Sequence, residues 1–216
     1  VPDVDLLTVD HAATWYQGTV TDLGTLGGKT SYAAGVNGFG QAVGWSFVAG
    51  DMGVKAALWQ GGVAHDLGTL GGARSQAYSI SNNRGIVGWS ETAAGQPHAM
   101  FVVVDAAGNV VSRTDLGVLT GGFSYAYGLN NSGQVVGTSG SRACLWAGGG
   151  VTDLNTLLPA GSNWVLERAW AISDTGMIVG TGRHYGQPHG FVLAPSCYAN
   201  CDASSLPPIL NINDFT

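Results

Sequence analysis

Apolar residues come in short, strand-sized runs, each closed by glycine or by Asn, Asp or Ser. Four kinds of run recur in a fixed order. The first is an apolar piece closed by an aromatic residue, at 13–18, 56–61, 98–103, 142–146 and 189–193. The second leads into the phrase Asp-Leu-Gly-Thr-Leu-Gly-Gly, which stands at 22–28 and again, unchanged, at 66–72. The copy at 115–122 carries one inserted residue, and a divergent copy begins at Asp153 as Asp-Leu-Asn-Thr-Leu-Leu. The third piece stands at 34–37, 78–81, 127–130 and 170–173, and the fourth at 41–46, 85–90, 134–139 and 177–182. Turn residues separate the third piece from the fourth. Asn or Asp followed by Gly between two β-rich runs is a hairpin signal, because Gly takes a positive φ at no steric cost.

The first Asp of each phrase lies 44, 49 and 38 residues before the next. Self-similarity at this period marks a repeat architecture. Four short strands in about 44 residues make a blade-sized unit. The expected fold is therefore all-β, a β-propeller-like array of four or five four-stranded repeats. Gly44, Gly88, Gly137 and Gly180 hold one register position, as expected of a strand running close to a crowded central axis. Four complete units fill 13–182, and one more first-piece strand follows at 189–193. That surplus strand is expected to close the ring against the first unit, or to be offered to a neighbouring molecule so that chains or filaments form. Residues 1–11 read as a lead-in, 12–195 as the repeat domain and 196–216 as a distinct tail.

Composition agrees with an all-β chain. Gly makes up 35 of the 216 residues, and Glu91 and Glu167 are the only glutamates. The net charge is −6 and the 8 basic residues are scattered, which argues against nucleic acid as a partner. No apolar run approaches 18 residues, so no transmembrane segment is expected. Cys144 lies in an apolar run and reads as a buried, inert thiol, whereas Cys197 and Cys201 sit together near the C-terminus.

These pieces resemble the HAF family of bacterial extracellular repeats, named for His-Ala-Phe. His98-Ala99-Met100-Phe101 and His189-Gly190-Phe191 carry the name-giving motif, with Lys55 and Arg142 in place of the His in other copies. The resemblance implies a secreted β-repeat protein, found outside the cell or at its surface, and it brings no agreed activity. The tail resembles the dockerin-like repeat of planctomycete-type secreted proteins, a relative of the EF-hand. That implies a calcium site using Asn200, Asp202, Ser204 and Asp214. It also implies that Cys197 or Cys201 pairs with a Cys beyond Thr216; a bridge between the two would close a very short loop.

Asp22, Asp66, Asp115 and Asp153 could form a ring of carboxylates, but a residue repeated in every unit usually serves the unit, here by capping a turn. Trp15, Trp59 and Trp146 read likewise as apolar anchors between blades rather than sugar platforms. His98 and His189, in matching loops, read as structural rather than as ligands of a shared metal. Function more often sits where the repeat breaks. The ligand-binding candidates are therefore Trp164, Glu167, Arg183, His184 and Tyr185. No nucleophile elbow, zinc-protease motif or phosphate loop is present, and no spacing singles out a catalytic carboxylate pair. The expected role is a non-catalytic extracellular or cell-surface structural and interaction module that meets other proteins or itself. The alternative is a β-propeller that binds or acts on polysaccharide.

Overall fold

The computed structural model describes residues 9–119, 122–195 and the backbone of 210–213. The candidate calcium ligands Asn200, Asp202, Ser204 and Asp214, and the cysteines Cys197 and Cys201, lie outside the described residues. The fold is all-β and is made of five small antiparallel sheets. A two-stranded half-sheet, β1 (Ala13–Tyr16) and β2 (Thr19–Asp22), comes first. Sheet one follows as β3 (Gly27–Val36), β4 (Ala42–Val48), β5 (Val54–Gln60) and β6 (Val63–Asp66). Sheet two is β7 (Gly71–Ile80), β8 (Gly85–Thr92), β9 (Pro97–Val104) and β10 (Val110–Asp115). Sheet three is β11 (Ser124–Leu129), β12 (Val135–Ser139), β13 (Arg142–Ala147) and β14 (Gly150–Asp153). Sheet four is β15 (Trp164–Ile172), β16 (Ile178–His184), β17 (Gln187–Pro195) and β18 (Leu210–Asn213).

Text and sheets are out of phase by half a unit. Each sheet begins with the third piece of one sequence repeat; sheets one to three end with the first and second pieces of the next, and sheet four ends with a first piece and with β18 from the tail. This corrects the expectation of a surplus strand at 189–193. That segment lies within β17, which pairs with β16 on one side and β18 on the other. The unfilled sheet is at the opposite end, where β1 pairs with β2 alone among the described residues.

The cores lie between sheets, and each joins one sheet to the next. Val43, Leu58 and Leu67 meet Ile86, Met100 and Val102 between sheets one and two. Val87 and Ala99 meet Val135, Cys144 and Trp146 between sheets two and three. Val136 and Ala143 meet Leu166, Ala169 and Phe191 between sheets three and four. Burial pushes the Cys144 thiol up to about 12, so it stays a neutral, apolar filler.

One hydroxyl per joint holds neighbouring sheets in register. The Ser75 Oγ accepts from the Ala56 N–H at 2.9 Å and donates to the Gly68 carbonyl at 2.6 Å. Ser31 and Ser124 do the same for Ala12 with Gly24, and for Ala99 with Gly117. In the divergent fourth copy the Ser position is Leu166, and Asn155 has replaced the phrase Gly. Its amide compensates, accepting from the Leu166 N–H at 2.7 Å and donating to the Leu166 carbonyl at 3.0 Å.

The single glycines do mark a close approach, but to the preceding strand of the same sheet. A Cβ on Gly44, Gly88 or Gly137 would lie 1.8–1.9 Å from the carbonyl oxygen of Tyr32, Gln76 or Tyr125. Opposite each lies a register shift: Ala33/Gly35 in β3, Ala77/Ser79 in β7 and Ala126/Gly128 in β11. The bulged strand pushes its carbonyl into the space a side chain would fill.

The turns between first and second strands form a chain of bonds across the four sheets. The Gly38 N–H donates to Asn82 Oδ1, the Asn82 N–H to Asn131 Oδ1 and the Asn131 N–H to Asp174 Oδ1, each at 2.8 Å. All four turns line one polar pit of about 350 Å³.

Candidate functional site

The repeated aspartates cap turns. Asp22, Asp66 and Asp115 each accept through Oδ1 from the N–H two residues on, at 2.7–2.8 Å. Asp153 does so for Asn155 at 2.9 Å. The second oxygen often meets the residue that opens the first piece. His98 pairs with Asp115 at 2.8 Å and Arg142 with Asp153 at 2.7 Å. His11 pairs with Asp22 at 2.7 Å, so the residue assigned to the lead-in is the first copy's counterpart of His98. The hydrogen bond to the Asp22 carboxylate raises the His11 pKa above its usual value and lowers that of Asp22.

Glu91 is also a clamp. Its carboxylate accepts from the N–H groups of Ala73 and Arg74 at 3.1 and 3.0 Å and from the Arg74 Nε at 2.8 Å. The Arg74 guanidinium holds this carboxyl below its usual range. Asp51 does the same more loosely in sheet one, accepting from the Lys29 N–H at 2.8 Å.

The five sequence candidates fall into two groups on sheet four. Trp164 and His184 pair across β15 and β16 and stack at 4.8 Å, with Tyr185 tilted against His184 and His189 edge-on to Trp164. Trp164 is only 9% exposed and belongs to the core between sheets three and four, so its ring offers no open face to a ligand. Arg183 and Glu167 form a separate pair at 3.0 Å, and Arg183 also donates to the Gly186 carbonyl. Tyr185, at the turn with φ 49°, is exposed.

The feature that sequence reasoning missed is a continuous row of aromatic rings crossing all four sheets. Tyr32 stacks on Trp45 at 5.5 Å, Trp45 meets Tyr78 edge-on at 6.1 Å, and Tyr78 meets Tyr127 at 5.7 Å. Tyr127 then packs on Trp170 at 4.7 Å. A branch runs from Trp89 through Tyr125 to Tyr127, with Phe123 beside Tyr125. The rings stand at or beside the β-bulges, which bring side chains of successive sheets together. The two end rings are the most open, Tyr32 at 39% and Trp170 at 42% exposed, and the rings between them are half-buried. Burial pushes the Tyr78 hydroxyl up to about 12 and raises Tyr127 as well, so both remain protonated donors at neutral pH. The Arg168 guanidinium lies 5.9 Å from the centre of the Trp170 ring. The signal in the sequence was the aromatic residue that opens the third piece in three units, Tyr78, Tyr127 and Trp170, masked because Ala34 stands there in the first.

Among the described residues no helix is long and apolar enough to cross a membrane, and no cluster of His, Cys, Asp or Glu is arranged to hold a metal ion. Compared with models of known protein families and with curated proteins, the sequence matches none.

Proposed function

We propose that this chain is a non-catalytic binding module that works outside the cell, with its sheets set as propeller blades around the polar pit and the aromatic row as its working face. One observation carries this reading. Half-exposed Trp and Tyr rings continue without a break across four sheets, although the cores that hold those sheets together lie elsewhere. Amphipathic rings gathered in one surface suit recognition, because each presents an apolar body together with a polar handle. The clamped Glu91 and the turn-capping aspartates favour binding over catalysis, since their carboxylates already have structural partners. The extracellular setting rests on the likeness to HAF repeats.

Cosedimentation with isolated bacterial cell-envelope particles tests the reading. The wild-type chain is expected to pellet with the particles. A folded Tyr32→Ser/Tyr127→Ser/Trp170→Ser variant is expected to stay in solution. Equal pelleting of the two, or no pelleting of the wild type, would refute it.

A further inference from the structure

Beside the aromatic row one repeated ring is missing. The second strand of each sheet carries one residue at the same register position, opposite the residue that precedes the bulge. These are Trp45 opposite Tyr32, Trp89 opposite Gln76, Thr138 opposite Tyr125 and Thr181 opposite Arg168. In sheets one and two the indole fills the space between sheets. Trp45 stacks on Tyr32 and touches Tyr78 of the next sheet. Trp89 touches Tyr125 of the next sheet and donates from Nε1 to Gln76 Oε1 at 3.1 Å.

In sheet three the position is Thr138, whose hydroxyl turns inward and donates to the Glu167 carbonyl at 3.0 Å. No indole stands there, and a groove of about 500 Å³ opens between sheets three and four. Phe123, Tyr125 and Ser141 line it from sheet three and its flanks, and Glu167 and Arg168 line it from sheet four. The groove thus repeats the surroundings of Trp45 without the ring.

We propose that this groove binds one pyranose unit of a neutral polysaccharide; this rests on the reading of the aromatic row as the binding face. The chemistry of the lining selects the class. A flat ring is what the repeat itself places at this position. A purely aromatic guest would need apolar walls and at most one acceptor, as Trp89 does. The groove instead combines aromatic walls with a carboxylate, a guanidinium and a hydroxyl. A pyranose meets both demands, with C–H groups toward the Tyr125 and Phe123 rings and hydroxyls that donate to Glu167 and accept from Arg168. The rim carboxylate and the net charge of −6 disfavour an acidic sugar.

Calorimetry with three neutral hexasaccharides as probes, β-1,4-, β-1,3- and α-1,4-linked, tests the proposal. At least one is expected to bind saturably at one site per chain. Tyr125→Ala should weaken that binding about tenfold, the worth of one stacked ring. Thr138→Trp, which restores the indole of sheets one and two, should abolish it. Because Thr138→Trp also removes a buried hydroxyl, its fold is checked by thermal melting, and Arg168→Ala, at an exposed position, gives an independent loss. Trp15→Ser, at the far end of the array, should leave binding unchanged. Absence of binding by all three probes overturns the proposal, as does unaltered binding in folded Thr138→Trp or in both Tyr125→Ala and Arg168→Ala. The two readings fail separately. If the triple row variant still loses the envelope while no hexasaccharide binds, the saccharide is wrong and the binding face stands.

Discussion

The β1–β2 hairpin and the β5–β6 hairpin are built from the same text, yet they live in different surroundings. Trp15 and Trp59 each stand seven residues before the phrase Asp, at Asp22 and Asp66. Trp59 is 2% exposed, packed against Ala12 and Leu23 of the preceding half-sheet, and Trp146 is 4% exposed between sheets two and three. Trp15 is 73% exposed, and Tyr16 and Val20 are open beside it. The Trp of each unit therefore faces backwards, toward the sheet before it. Its burial is a property of the neighbour, and a unit read in isolation cannot reveal it. The strand edges repeat the contrast, since β5 is paired with both β4 and β6, and β1 with β2 alone among the described residues.

The sharpest test of that contrast is to truncate both indoles. Trp59→Ala should cost about 3–5 kcal/mol of unfolding free energy, the usual range for a large ring removed from a packed core. Trp15→Ala should fall within about 0.5 kcal/mol of wild type. Urea denaturation measures both, and equal losses would mean that the hairpins are packed alike.

The acidic clamps give a second, smaller comparison. Glu91→Ala removes a buried carboxylate that accepts from two backbone N–H groups of β7 and pairs with Arg74, and should cost about 2–3 kcal/mol. Asp51→Ala, with a single backbone bond at a more open site, should cost under about 1 kcal/mol. The depressed Glu91 pKa adds a pH signature. Its contribution is complete above the unfolded glutamate value, near 4.5, and is lost as pH falls through the lower folded value. Acid titration of wild type against Glu91→Gln should show that difference, and superimposable curves would remove Glu91 from the account.

Much of this fold was legible in the sequence. Strand count, turn positions and repeat length all follow from glycine punctuation and apolar runs. The bonding role of the repeated aspartates was legible as well, because a turn cap needs only local spacing. Phase was not, because the text repeats equally well from any starting piece, and only pairing tells which four strands share a sheet. The site was the least legible part. Tyr78 and Tyr127 come from different units and meet only because bulges offset their strands, and the groove at Thr138 is an absence, visible only against Trp45 and Trp89. Trp164 broke the repeat and so drew notice, but it broke it by filling a core.

A third test separates the joints. Ser75→Ala leaves the Ala56 N–H and the Gly68 carbonyl without their shared partner and should cost about 1–2 kcal/mol. Ser31→Ala removes the same two bonds, but one of them holds only the half-sheet at Ala12, so the loss should be smaller. Amide hydrogen exchange at Ala56 and Ala12 reads each joint directly, and faster exchange at Ala56 than at Ala12 in the wild type would reverse the ranking.

The smallest effect concerns the exposed His11–Asp22 pair. With its pKa raised, His11 supports the hairpin fully below about 6.5, the unfolded histidine value, and the support fades as pH rises through the higher folded value. Asp22, with its pKa lowered, contributes above its unfolded value and fails as pH drops through its folded one. NMR titration should place the His11 midpoint above that of His11 in the Asp22→Asn variant. Coincident midpoints would show that the pair does not form.

The half-unit offset between text and sheets bears on how such a chain can lengthen. A copied stretch never forms a free-standing piece, because its outer strands complete a sheet begun by the previous copy. New material arrives already hydrogen-bonded to old, and the seam between copies falls inside a sheet, where it is strongest. Length drifts both in the turns and in the links between sheets, where 154–163 stands against the four-residue links 23–26 and 67–70. Sheet two carries the extra turn 105–109 between its third and fourth strands, and sheet three has only 140–141 between its second and third where sheet one has 49–53. The distance from indole to Asp does not drift: it is the same in 15–22, 59–66 and 146–153. Growth by whole stitched layers, with slack taken up in the turns and in the links between sheets, lets the array change size while each hairpin keeps its register.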